Sequence, residues 1–570
     1  MSPTFRLRGI AIFAQIREAV LAHNMPKYLF RISGWFLCGL IVVPVAGAAN
    51  SEDHQHDVGH IHFPVSCPPE AQKAFEHGVA LIHSFWYDEA EKAFSGVIRL
   101  DPGCAMAYWG IAMSFYHPLW APPTPSDLRK GIGAIEKAAS IGAETQRERD
   151  YIAAMGEFYQ NRDTVPDRQR SLAWRNAMQR LSVRYPQDHE AAIFYALALI
   201  ATAPPADKTY TNQKRAAAIL NRMLPEQPDH PGITHYLIHS YDSPQLAILA
   251  LPAARAYAKI APASPHALHM PSHIFTRLGL WDESIQSNLA SAAAAKSQMM
   301  KTLPTASSLD QLHAMDYLVY AYLQTCQDEK AKRIVDDAAS VSTVDQQVFQ
   351  AAYAFAAIPA RYALERRRWS AAAALQLQPA WFPWVQFRYA EAIIHFARAL
   401  GSAHAGNIAQ ARAEIAELAK IEQTVRQHQE GYDWAAQVEV QRLAAVAWLK
   451  HAEGNQESAL RSMRAAAQLE DTIEKHPVTP GPVLPARELL GELLMELDQP
   501  ARALPEFEAV LRSFPNRFNA TYGAGRAAEI CRDPKKAEQL YSQLLQLCGH
   551  ADTQRLELQN ARAFLETHRN

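Results

Sequence analysis

Residues 484–515 read LPARELLGELLMELDQPARALPEFEAVLRSFP. Within this stretch Gly491, Ala503, Phe507 and Pro515 stand at internal offsets of 12, 16 and 24. The first three recur 34 residues later as Gly525, Ala537 and Tyr541. Near the other end of the chain, Gly78, Ala90, Phe94 and Pro102 repeat the same offsets. A fixed period of this length marks a repeat architecture in which each unit is one supersecondary element. The chemistry of the four positions is that of a helical hairpin. Two small residues let two helices approach closely, and an aromatic fills the gap to the next hairpin. The proline stops the second helix, because it cannot continue the hydrogen-bond ladder.

Composition agrees. Hydrophobic residues are 49% and charged residues 20% of the 570, enough to bury a core along most of the chain. Glycine numbers only 24 while Ala and Leu abound, which favours helix nearly throughout. Lys and Arg total 56 against 58 Asp and Glu, a formal charge of −2, without the basic excess of a nucleic-acid binder. The four positions are numbers 8, 20, 24 and 32 of the tetratricopeptide consensus, and the chain resembles that superfamily. The resemblance implies an all-α, right-handed superhelical solenoid of helical hairpins with a concave groove. Further units fit the frame near Ala105, over 231–264 and 265–298, and from Leu312, Ala392, Val440, Leu484 and Phe518. The frame is broken by APPADKTY at 203–210. The stretches CAMAYWGIAM, HYLIHSYD, HALHMPSHIF and HPVTPGPVLPARELLG are similar to those of a family of exported bacterial tetratricopeptide proteins, a likeness that speaks to fold and location.

Residues 1–48 are a secretory signal peptide, with Met25 an alternative start. WFLCGLIVVPVAGAA at 35–49 has a short apolar run, basic Lys27 and Arg31 before it, and an A-x-A site at Ala46–Ala48. Residues 49–66 form a histidine-rich tail and 67–298 an N-terminal half. Residues 299–311 are a linker and 312–570 a C-terminal half. The expected location is therefore periplasmic or secreted, with no transmembrane span left after cleavage. The mature chain keeps five cysteines, which permits two bridges at most, and Cys67–Cys104 is the pairing expected. Cys531 and Cys548 fall at opposite ends of one hairpin and are not expected to join.

Histidines supply the chemistry. The resemblance places positions 2, 5, 9, 12 and 13 of each unit on the concave side. With units starting at Pro231 and Pro265, His235 and His239 take positions 5 and 9, and so do His269 and His273. Each pair is one helical turn apart on one face. Four imidazoles then meet one patch of groove, a donor set for Zn, Cu, Ni or Fe. His266 lies at position 2 near the same patch. Asp242 is placed to orient an imidazole from outside, and Asp316 to add a carboxylate. The competing reading is that groove histidines contact backbone or a bound peptide, since helices 8–10 Å apart need not converge four ligands. The tail SEDHQHDVGHIHF adds His54, His56, His60 and His62 as a compositional metal binder.

Other residues are expected to line the groove. His83 and His117 share position 13, with Trp109, Met113 and Tyr116 beside them as peptide anchors or inter-hairpin core. Glu488 and Glu492 occupy positions 5 and 9, and Tyr522 and Arg526 the same positions one unit on. Glu492 with Arg526 reads as a stacked ion pair or a clamp for a charged peptide end. Glu391 and His395 read as a helix-surface pair. The glycines at 523 and 525 imitate a dinucleotide fingerprint, but no strand precedes them. H-E-x-x-H, G-x-S-x-G and a phosphate loop are all missing from the sequence.

Two function classes remain. One is an exported scaffold that binds a protein or peptide in the groove. The other is a metalloprotein, with or without catalysis, built on the histidine patch. The superfamily resemblance favours the scaffold.

Overall fold

An amphipathic helix can bury its apolar face only against a neighbour, and here that neighbour is the next helix along the chain. The computed structural model describes residues 57–119, 122–427 and 432–568. The described residues are helical from Pro69–His83 to Leu556–His568, and the one β feature among them is an isolated bridge between Ser307 and Val344. Consecutive helices pack as hairpins. The first helix of a hairpin also packs on the first helix of the next, as Ala486–Glu496 does on Phe518–Ile530. The chain is thus an all-α solenoid. No helix of the described residues is long and apolar enough to cross a membrane.

The repeat glycines explain the period. A Cβ on Gly78 would lie 2.8 Å from the Phe94 ring, and one on Gly491 2.7 Å from Phe507. Each aromatic also presses on the following unit, where a Cβ on Gly110 would lie 2.4 Å from the Phe94 ring. Position 24 therefore wedges between two hairpins and tolerates no side chain at either contact. We expect Gly110→Ala to destabilise the fold by about 1–3 kcal/mol, because the wedged ring has nowhere to move. Urea unfolding of the full chain measures this, and an unchanged midpoint would refute it.

Among the described residues the apolar interior falls into two large cores and a small one. The first gathers residues from Val58 to Phe275 and the second residues from Trp281 to Leu540. The third closes the C-terminal end around Phe518, Tyr541 and Phe564. The solenoid curls tightly enough to touch itself. Pro69–His83 reaches Pro231–Tyr241, and Leu309–Gln324 reaches Phe518–Ile530. Residues 299–302, expected in a linker, are instead the last turn of the helix Trp281–Thr302, and the next helix starts at Leu309.

Buried ion pairs tie the second curl. Arg517, fully buried, donates from Nε to Glu488 at 2.5 Å and pairs with Glu365 at 2.7 Å. Arg361 pairs with Asp316 and donates to the carbonyls of Gly481 and Pro482. Disulfides join Cys67 to Cys104 and Cys326 to Cys548, and Cys531 is free and exposed. The second bridge spans 222 residues, and no repeat offset relates its two cysteines.

Candidate metal centre

Three first helices carry the site. Pro231–Tyr241 starts with proline at its first position, and the His230 ring caps it by accepting from the Ile233 amide. Pro265–His269 starts the same way, capped by Ser264, and continues as Pro271–Arg277. Leu309–Gln324 is capped by Ser308. Proline at this position loses nothing, since the first helical amides have no partner inside the helix. The common start sets a common register, and His235, His269 and His313 each stand four residues past it.

The six histidines gather as two triads, His235/His239/His266 and His269/His273/His313. The four-histidine patch expected from the sequence is therefore split, each repeat pair taking its third member from the first helix of the next hairpin. In the first triad, the His235 Nε2 lies 3.1 Å from His239 Nε2 and 3.2 Å from His266 Nε2. In the second, His269 Nε2 and His273 Nε2 are 3.0 Å apart, and the His313 ring centre is 4.2 Å from that of His269. A tetrahedral ion with bonds of about 2.0–2.1 Å spaces its nitrogens at about 3.3 Å. The Nε2 separations of 3.0–3.2 Å are close to that size, and all ligand atoms of each triad lie within 4.8 Å of one another.

The outer contacts decide which nitrogen carries the proton. His235 donates from Nδ1 to the His83 carbonyl at 2.6 Å. His269 donates from Nδ1 to the Asn288 carbonyl oxygen at 2.6 Å, and Asn288 is oriented by its own amide donating to the Ser284 carbonyl. His273 donates from Nδ1 to Asp242 at 3.1 Å. All three acceptors lack a proton to give, so each ring holds its hydrogen on Nδ1 and turns a bare lone pair inward at Nε2. This is the arrangement of metal-ligating histidines and their outer partners. His269 and His273 thus point two lone pairs at each other across 3.0 Å, which is repulsive unless a cation lies between them.

A proton is a poor cation for that place. Five of the six rings are buried, and only His239 is partly open. Burial pushes all six imidazoles below their usual range, His235 to about 3. The neutral form is the one a metal takes. Burial alone would raise the Asp242 carboxyl, but Lys475 at 2.8 Å and Arg277 at 2.8 Å hold it well below its usual range. Lys475 itself is brought down to about 8 by burial.

The proline-rich insertion EKHPVTPGPV, residues 474–483, lies over the site. Tyr317 donates to the Val478 carbonyl at 3.1 Å, its hydroxyl 3.3 Å from His273 Nε2. Lys475 reaches Asp242 from the same insertion. Beside it opens a cavity of about 940 Å³, lined among others by His239, Asp242, Lys475, His476 and Trp434.

Several expected residues lie elsewhere. His83 is fully buried, donating to Glu190 at 2.9 Å while its Nδ1 accepts from the Tyr236 hydroxyl. Trp109 packs among Phe63, Phe75, Tyr151 and Phe194. Tyr116 packs between Phe158 and Trp174. The tight curl fills the groove at these positions, so His83, Trp109 and Tyr116 are core rather than open groove. His117 is half-buried against Tyr87 and edges the cavity. Glu492 does not meet Arg526. It pairs with Arg367, while Arg526 pairs with Glu529 on its own helix. Glu488 is buried against Arg517, and Tyr522 accepts from Asn560. No clamp for a peptide end is formed by these four residues. Asp316 is held by Arg361 and is not a member of either triad. His60 and His62 face solvent, and His54 and His56 lie outside the described residues.

His395 joins Glu414 at 2.6 Å and Glu391 at 3.6 Å, a largely buried pair of contacts rather than a surface one. Burial opposes its charge, but the hydrogen bonds to the two carboxylates raise it to about 8. Its stabilising contribution is therefore complete below the unfolded value of about 6.5 and is lost as pH rises through about 8. We expect Glu414→Gln to flatten that part of the stability–pH profile. An unaltered profile would exclude this role.

The tetratricopeptide repeat family model matches residues 488–552, so this stretch consists of tetratricopeptide repeats. Among solved structures, the chain is similar to the Cut9–Hcn1 hetero-tetramer of the APC/C, at 12% identity and a TM-score of 0.32 over 87% of this chain and 83% of that one. It is similar to yeast Tom70 at 10% identity and a TM-score of 0.32, over 87% of this chain and 95% of that one. No curated protein matches the chain.

Proposed function

We propose that this protein, whose residues 488–552 belong to the tetratricopeptide-repeat family, is a metalloprotein that holds transition-metal ions on two histidine triads. The observation that carries this reading is the pair of Nε2 nitrogens of His269 and His273 facing each other at 3.0 Å in a buried site, each ring's Nδ1 being held by an acceptor. Each triad would give an ion three imidazoles and leave a fourth position for water or a substrate, as an open, reactive site requires. The solenoid is the frame that brings three successive first helices side by side.

The protein is exported in this reading. Two disulfides fit an oxidising compartment, where thiols stay paired. Tetratricopeptide repeats also support a protein-interaction scaffold, and a second reading follows from that. Ile248 and Leu249 are exposed side by side at 59% and 56%, an apolar spot that suits a partner's surface better than solvent. The two readings are compatible, because this spot and the triads use different residues.

The test is elemental analysis of the full chain purified without a histidine tag. We expect about two transition-metal ions per chain, removable by a chelator, with a fall in melting temperature on removal. Protein that carries no metal after purification, and gains no stability from added Zn, Cu, Ni or Fe, would sink the proposal.

A further inference from the structure

We infer that the two triads hold a pair of copper ions that together take up one molecule of dioxygen. This rests on the metal reading above and adds to it the metal and its ligand.

The donor set comes first. All six ligands are imidazoles, and neither triad includes a carboxylate or a thiolate. Oxygen-seeking ions such as Mg, Ca and Mn are disfavoured by such a set, and non-haem iron sites add a carboxylate to their histidines. Copper, nickel and zinc suit imidazole, and among the divalent ions copper binds most tightly.

Charge then separates copper from zinc. The six ligands are neutral. The nearest carboxylate, Asp242, is already matched by Lys475 and Arg277, both buried beside it. Two zinc ions would place four positive charges in this buried pocket with no anion supplied by the protein. Two cuprous ions place only two. In a site withdrawn from water, that difference decides which pair is tolerated.

The same count favours dioxygen as the ligand. Each cuprous ion gives one electron to dioxygen. The O–O double bond becomes a single bond, the product is a peroxide dianion, and two cupric ions remain. The net charge of the site is +2 before the step and +2 after it, so a low-dielectric pocket need not respond. No proton is taken up, and release of dioxygen runs the step backwards.

Geometry allows one ligand to serve both ions. The facing rings of the two triads stand at 6.3 Å for His239 and His273 and at 6.4 Å for His266 and His269. Two ions bound there are neighbours in one pocket. His239, the one partly open ring, lines the cavity and marks the way in.

The experiment loads the untagged full chain with Cu(I) under argon and then admits air. The expected result is two coppers per chain and one dioxygen bound per copper pair. A charge-transfer band should appear with dioxygen, and the oxidised pair should lack an ordinary cupric EPR signal because the two spins couple. The same chain loaded with zinc should bind no dioxygen, and this control needs no variant. His313→Gln should leave one copper and abolish uptake with helix content unchanged. One copper per chain in the wild type, an isolated cupric signal, or two coppers without uptake would overturn the inference. Native zinc that copper cannot displace would overturn it too and leave the metal reading standing. No metal of any kind would sink the metal reading itself.

Discussion

His266→Ala empties the first triad and leaves the second occupied, while His313→Ala does the reverse. Each variant should carry half the metal of the wild type. Affinity at the damaged triad should fall by more than about 100-fold, since even the loss of an outer partner costs 10–100-fold. Asp242→Asn supplies that smaller value. It removes the carboxylate that accepts from His273 and should weaken the second triad by about 10–100-fold with little effect on the first. Competitive titration with a chelator of known affinity, read with elemental analysis, separates the three outcomes. If His266→Ala and His313→Ala each removed all the metal, the two triads would be one site. If both left the metal content unchanged, the ions would be bound elsewhere.

Arg517→Met should be the most damaging single substitution outside the triads. Arg517 is fully buried between Glu488 and Glu365 and also donates to the Tyr320 hydroxyl at 3.1 Å. A methionine of similar size would leave two carboxylates with no full partner in a dry interior. Breaking a buried pair this way costs about 3–5 kcal/mol. The loss belongs to the closure of the second curl, because the arginine links three separate helices. Arg526→Ala is the contrast. Its pair with Glu529 is exposed and local, and surface pairs of that kind contribute little. Chemical denaturation of both variants checks the difference, and equal midpoints would show that burial at Arg517 carries no special weight.

The histidine register shows how far the sequence could be read. His235, His239, His269 and His273 announce themselves by a spacing of 34 and a spacing of four. His313 does not, because ten extra residues separate its unit from the previous one. Starting that unit at Leu309 rather than Leu312 puts His313 at position 5, in line with His235 and His269, and puts Tyr317 at position 9, where the others have histidine. The signal was present but hidden by an insertion. His266 was legible only as a neighbour, since nothing in one dimension says that position 2 of one unit reaches positions 5 and 9 of the unit before.

The groove residues fail for a different reason. Position within a repeat states which way a side chain points, not what lies opposite. Trp109 and Tyr116 point inward as their positions require, and meet other helices there instead of solvent. Glu488 does the same and meets Arg517, the last residue of its own 34-residue unit, which the period does not mark.

What the sequence alone determined is everything that depends on local period: helix, hairpin, repeat, and the paired histidines on one face. These follow from backbone hydrogen bonding and from the steric fit of Gly78 or Gly491 against its aromatic, which are settled within some thirty residues of chain. What only the tertiary structure decided is the curvature of the array, and with it the division of six histidines into two triads and their burial beneath Lys475 and Val478. Curvature is the sum of small rotations at every hairpin contact, and no single stretch of sequence carries a sum.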